Sequence, residues 1–435
     1  MTDIQLGLAA LAALIVLILI RMPIAIALIV VSFTGLWIML DFSIAWGALG
    51  IMPYNLTANW VLSSVPMFLL LGYISYHTEL TTGLFRAARM WLSGLPGGLA
   101  ISAILGSAGF AAVSGSSVAC SAAMGRIAVP EMLAARYSPQ LATGTVAVAG
   151  TIGALIPPSI IMILYGVIAQ VPISALFLGG IGVGLISAVG YVLVVLIRVT
   201  LNPSLAPPTD ETITWADRFA ALKDTWPILL VMAGIFGGLF GGVFTPTEAG
   251  AVGAFLATVV AALKRSLTWS RFRQAVSETL MTTGTLIVIA VGATLFTRFL
   301  TLSGTGEFLS EAIIGTNSSL FLLLLGITVV YLLMGMFLEP VGAMLLTLPI
   351  ILPVIEGADL SLLWFGVILT KLLEIGMITP PIGMNVFVIK SVVGKAVELG
   401  EIFKGVFWFM IMDLAVVALV MAVPGIVLFM AGLAG

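Results

Sequence analysis

The residues of this chain that can do chemistry gather at four places. VSGSSV (113–118) sets three hydroxyls, Ser114, Ser116 and Ser117, around Gly115 amid small residues. GMFLEP (335–340) places Gly335 and the carboxylate of Glu339 before Pro340. GTIGALIPPS (150–159) and EIGMITPPIGMN (374–385) each carry two adjacent prolines, Pro157-Pro158 and Pro380-Pro381, inside an apolar run. A proline removes a backbone donor and pushes the residue before it out of helical geometry. Such a break strands peptide oxygens, and in hydrocarbon these survive only where they line an enclosed or wet cavity.

Stranded carbonyls and hydroxyls form an oxygen-only shell, which suits a hard cation. With no run of carboxylates to hold Ca²⁺, the expected ion is Na⁺. The half-helix beyond each break points its N-terminus at the same place and suits a carboxylate on the substrate. Candidate substrate contacts are Ser116, Ser117, Thr151, Ser159, Thr379 and Asn385. Other charges near these segments are few. Lys371 and Glu374 lie three apart on one helical face and are expected to neutralise each other, while Arg126, Arg298 and Asp413 fall within or near spans. Charged groups at such depth are functional by default and need partners.

Other chemistries lack residues. The single cysteine, Cys120, forms no internal disulfide, and the single histidine, His77, builds no metal cluster. They read as a packing residue and a polar tip near a span end. No nucleophile–base pair stands out, so the chain is not expected to be an enzyme. A net charge of -2 without a basic block gives nucleic acid nothing to bind.

The elements that position these residues follow from composition. Of 435 residues, 61% are hydrophobic and 8% charged, with a mean hydropathy of +1.25; a soluble chain carries about 25% charged residues. The long unalternating apolar runs exclude an outer-membrane barrel and predict an all-α polytopic membrane protein. The first run, from Ile4, has no basic region before it and is expected to be a retained span.

The chain also repeats itself. A shift of 223 superposes Pro23, Pro130, Pro157 and Pro158 on Pro246, Pro353, Pro380 and Pro381, and Gly153 on Gly376. Thr78, Thr82, Gly83 and Phe85 fall on Thr301, Thr305, Gly306 and Phe308. Chance predicts roughly half a proline match at any one shift, and self-similarity at a fixed period marks a repeat. The expected units are 1–199 and 225–435, joined by a polar cytoplasmic linker, 200–224. Each reads as two close spans (4–20 and 23–40; 226–243 and 246–263) and a third (63–80; 277–300). A long hairpin follows (97–135; 320–357), then a broken span (139–170; 362–392) and a last span (172–199; 405–433).

Positive charge orients the units. Arg21, Arg86 and Arg89 in the first, and Arg198, Arg218, Lys223, Lys264, Arg265, Arg271 and Arg273 around and after the linker, share one side only if the copies are inverted. Each copy then makes five crossings plus a re-entrant hairpin, with both termini periplasmic. Trp46, Tyr54 and Trp60 fall on the outer side, Trp215 and Trp269 on the inner. Inverted repeats with paired broken helices point to a secondary transporter's mid-membrane binding site. Glycine clusters at 178–187 and 236–244 allow close helix approach within the chain or against a partner. A stand-alone sodium/carboxylate symporter is an alternative; a passive anion channel is a further one, although it expects a continuous polar lining.

RMPIAIAL, GSAGFAAVSGSSVACSAAMGRIAVPEM, GTIGALIPPSIIMILYG, FTPTEAGAVGA, MGMFLEPVGAMLLTLPIILP and EIGMITPPIGMNVFV together resemble the large membrane subunit of tripartite ATP-independent periplasmic (TRAP) transporters, essentially end to end. The resemblance implies an elevator-type importer in the bacterial inner membrane. It implies a small four-helix membrane partner, a periplasmic substrate-binding protein, Na⁺ coupling at two or more sites, and an organic-acid cargo such as a C4-dicarboxylate or sialic acid. It places one Na⁺ site at Ser114, Gly115 and Ser117 with Gly153, Ile156 and Pro158. The other falls at Gly335 and Glu339 with Gly376, Thr379 and Ile382.

Overall fold

A computed structural model describes residues 2–208, 213–314 and 319–432. Helices fill it, and no strand occurs among the described residues. The first half holds α1 (Asp3–Leu19), α2 (Ile24–Met39), α3 (Phe42–Thr57), α4 (Ser64–His77) and α5 (Thr82–Leu92). After these come α6 (Gly98–Ser114), α7 (Ser117–Ala134), α8 (Pro139–Ala149), α9 (Ile160–Ile168) and α10 (Ile173–Leu201). Helix α11 (Trp215–Lys223) lies in the linker, of which 209–212 fall outside the described residues. The second half holds α12 (Trp226–Phe240), α13 (Pro246–Leu263), α14 (Trp269–Leu302), α15 (Thr305–Ile314) and α16 (Leu320–Gly335). It ends with α17 (Pro340–Gly357), α18 (Leu362–Gly376), α19 (Met384–Val393), α20 (Leu399–Ala422) and α21 (Gly425–Gly432).

Among the described residues, six helices are long and apolar enough to cross a membrane, counting α4 with the 3-10 turn (Trp60–Ser63) before it, or seven counting α11 with α12, which bend by 53° at their junction. The predicted hairpins are the pairs α6–α7 and α16–α17, and the predicted broken spans are α8–α9 and α18–α19, each interrupted at its proline pair. Both proline–proline peptide bonds are cis.

Helix boundaries recur at the 223-residue shift, which carries α7 onto the span of α17 and the start of α1 onto that of α12. Contacts recur with the partners exchanged: α4 packs on α13 as α14 packs on α2. In the same way α8 meets α20 as α18 meets α10, and α7 meets α19 as α17 meets α9. Glycines permit the closest crossing. At Gly405 of α20 a Cβ would stand 2.0 Å from the Gln140 carbonyl oxygen, and at Gly144 of α8 one would stand 2.5 Å from the Gly405 carbonyl carbon. Two helix backbones in contact are the small-residue packing used inside membranes.

The halves differ in places. Shifted back, α14 covers 46–79, where the first half has α3, a 3-10 turn at Trp60–Ser63 capped by Asn59, and α4. The third spans were expected at 63–80 and 277–300, and α14 reaches back to Trp269. The last span, expected over 405–433, ends at Ala422, because Pro424 has no N–H to continue the ladder, and α21 follows. Residue 433 lies outside the described residues. Trp46, Tyr54, Trp60, Trp215 and Trp269 are all exposed.

The buried apolar residues form two clusters, and both breaks straddle the boundary between them. Leu155 and Ile160 belong to one cluster while Ile152 belongs to the other; at the second break Ile375 and Ile378 divide in the same way.

Candidate functional site

The tip of the first hairpin is shaped by one glycine. Gly115 ends α6 at φ +60°, a left-handed conformation that costs a side-chain-bearing residue about 1 kcal/mol or more. Ser116 then caps α7, accepting from the Ala119 N–H at 3.4 Å. The tip sits on the first break. A Cβ at Gly115 would come 2.4 Å from the Pro158 carbonyl oxygen, and one at Gly153 would come 3.1 Å from the Ser116 carbonyl oxygen. The second hairpin meets its break the same way, since a Cβ at Gly335 would lie 2.8 Å from Gly376 Cα, and one at Gly376 2.5 Å from Gly335 Cα. Both junctions thus bring peptide backbone against peptide backbone, which is what a shell of carbonyl oxygens requires.

Between the tips lies a cavity of about 120 Å³. Ser114 to Ala119 form one wall and Glu339, Pro340 and Val341 another, with Glu374, Tyr73 and Thr282 among the remaining polar residues. Tyr73 and Thr282 share a 2.8 Å hydrogen bond. Glu339 caps α17, its Oε2 accepting from the Gly342 N–H at 3.0 Å. The N-termini of α7 and α17 therefore both open on the cavity, each with partial positive charge.

Glu374 corrects the expected pairing with Lys371. Its Oε1 accepts a hydrogen bond from Ser117 Oγ at 3.1 Å, linking the first hairpin tip to the helix before the second break. Lys371 instead turns to α20, with Nζ 2.5 Å from Asp413 Oδ1 and 3.2 Å from the Tyr191 hydroxyl. Tyr191 donates to Asp413 Oδ1 at 2.6 Å and lies 3.0 Å from Thr151 Oγ1. These four side chains are buried and tie the first break to α10, α18 and α20. Residues one turn apart on a helix can face each other, but an ammonium takes a nearer carboxylate on a packed neighbour when one is there.

Of the candidate substrate contacts, Ser116 and Ser117 line the cavity. The other four are absent from its lining. Thr151 belongs to the Tyr191 network; Ser159 caps α9, accepting from the Met162 N–H at 3.3 Å; Thr379 Oγ1 donates to the Ile375 carbonyl at 2.6 Å. Asn385 is fully buried, and neither its amide oxygen nor its nitrogen makes a hydrogen bond. Of the candidate ion ligands, Ser114, Gly115, Ser117 and Glu339 line the cavity, while Gly153, Pro158, Gly335 and Gly376 form the two junctions. Ile156 is half-buried beside the first junction, its N–H on the Ile152 carbonyl, and Ile382 is exposed. Arg126 lies over the Tyr76 ring in a separate pocket with His77, and Arg298 is exposed. Tyr73, Tyr191 and Thr282 went unnoticed in the sequence. A tyrosine mid-span needs a partner for its hydroxyl, and that signal was available for Tyr191.

Residues 11–426 match the family described as the tripartite ATP-independent periplasmic transporter, DctM component. The chain is similar to the C4-dicarboxylate TRAP transporter large permease protein of Pseudomonas aeruginosa, 32% identical over 84% of this chain and 85% of that one. It is also similar to the ectoine TRAP transporter large permease protein of Halomonas elongata, 31% identical over 88% of each. In fold it is similar to the YdaH transporter of Alcanivorax borkumensis, with a TM-score of 0.57, 14% identity, and coverage of 83% and 85%.

Proposed function

The chain belongs to the DctM component family of tripartite ATP-independent periplasmic transporters, and from that premise we propose that it drives import of a carboxylate-bearing organic acid with a sodium gradient. A large permease of this kind works with a small membrane subunit and a substrate-binding protein. The cargo class follows the C4-dicarboxylate and ectoine permeases it resembles. The observation that carries the reading is the cavity walled by both hairpin tips. The helix N-terminus at Ser116–Ser117 seats the cargo's carboxylate. Sodium is held beside it, where Gly115, Gly153, Gly335 and Gly376 let carbonyl oxygens converge.

Loading proceeds by charge. Sodium at the tips offsets Glu339, and an anion then enters a cavity that would otherwise repel it. An elevator motion, with hairpins and broken helices moving as one body in an inner membrane, is supported by the buried Lys371–Asp413–Tyr191–Thr151 network, which ties the first break and α18, both on the cavity lining, to α10 and α20. A two-fold relation between the halves is supported by the exchange of partners between their helix contacts, and their inversion rests on the one-sided placement of the basic residues.

Co-reconstitution of this chain with its small subunit in liposomes, with binding protein outside, tests the proposal. Uptake should saturate and require inward sodium. Flux that rises linearly with concentration without sodium would establish a channel, and saturable sodium-driven uptake without either partner would establish a stand-alone symporter.

A further inference from the structure

Around the cavity the charges do not balance for a plain acid. Two carboxylates line it, Glu339 and Glu374, and among the described residues no lysine, arginine or histidine does. Lys371, one turn before Glu374, is committed to Asp413 and Tyr191. Glu374 is 1% exposed; one oxygen accepts from Ser117, and the other, Oε2, has no hydrogen-bond partner in the protein. Ser114, 2% exposed on the same lining, also has an unpartnered Oγ. Buried polar atoms are satisfied in nearly all proteins, and an acceptor-only carboxylate oxygen needs a donor or a cation.

The same cavity has an anion seat at the N-terminus of α7, where Ser117 and Val118 lie on the lining. It therefore offers a place for a carboxylate and, beside it, a place for a positive charge. Resting on the importer reading, we propose that the cargo is a zwitterion, an acid that also carries an ammonium or amidinium group, and that Glu374 is the residue that selects it. A dianion would set its second carboxylate against Glu374 with no base to neutralise either, and like charges at contact in a poorly screened cavity repel strongly. An ammonium there donates to Glu374 Oε2 and leaves its remaining protons for Ser114 Oγ or the cavity carbonyls.

The test uses the complete membrane complex in nanodiscs at fixed sodium, with matched pairs of acids that differ by an ammonium: proline against cyclopentanecarboxylate, aspartate against succinate, γ-aminobutyrate against valerate. In the best-bound pair the ammonium member should bind at least about tenfold tighter. Glu374→Gln, which keeps the size of the side chain and can still accept from Ser117, should remove that preference and bring the two members of the pair within about threefold of each other. Glu374→Asp should restore part of it.

A wild-type preference for the plain acid overturns the proposal without any variant. It is also overturned if Glu374→Gln weakens both members equally and lowers the steepness of sodium dependence, because Glu374 is then a sodium ligand. In that case sodium-driven uptake of a plain acid leaves the importer reading intact. If no acid of either kind is taken up under a sodium gradient, the importer reading fails, and this inference with it.

Discussion

Lys371 and Asp413 are 1% and 0% exposed and meet at 2.5 Å, with no water-facing edge to soften the loss of either. Lys371→Met leaves a buried carboxylate facing methylenes, and Asp413→Leu leaves a buried ammonium. Breaking a buried pair from one side costs about 3–5 kcal/mol, whereas replacing both partners with apolar groups of similar volume is nearly neutral. At roughly 2.1 cal/mol/K of unfolding entropy per residue, a chain of 435 residues should lose about 3–6 °C in either single variant. The double variant should recover to within about 2 °C of the wild type. Cys120 supplies the readout: it is the only thiol in the chain and fully buried, so a thiol-reactive dye reports unfolding. The reasoning is refuted if the double variant loses as much as the two singles combined. The pair would then be two independent contacts, and the network could not serve as the clamp between the first break and α18.

Other outcomes follow from the junctions and the tips. Gly335→Ala should destabilise by about 1–3 kcal/mol, since its Cβ would meet Gly376 backbone that cannot step aside. Gly326→Ala on the same helix, where nothing lies within 4 Å, should stabilise by about 0.5–1 kcal/mol; melting curves of the two variants should move in opposite directions. Ser117→Ala and Thr379→Ala should each raise the half-saturating sodium concentration for uptake by about fivefold, the worth of roughly 1 kcal/mol. Unchanged sodium dependence in both removes the tip and break as ion sites.

Much of the architecture was legible because membrane chains announce their breaks. Pro157-Pro158 and Pro380-Pro381 mark where helices stop whatever their surroundings, and the small residues around Gly115 permit a tight tip. Partner choice was not legible. Lys371 has Glu374 one turn away in sequence, but its salt bridge goes to Asp413, 42 residues on, because packing of α18 against α20 decides which carboxylate is nearest. Thr151, Ser159 and Thr379 carried the right chemistry in the right segments, yet their hydroxyls serve Tyr191, a helix cap and a backbone carbonyl. A hydroxyl's direction depends on the local turn, and a 3-10 segment such as Gly150–Ala154 changes it by more than a sequence period can tell.

The exchanged contacts make the halves interdependent. Helix α2 is covered by α14 and α4 by α13, so each half supplies the surface that the other lacks. Cut within the segment around α11, either piece alone would leave those apolar faces bare, and the two pieces should survive in a membrane only by finding each other.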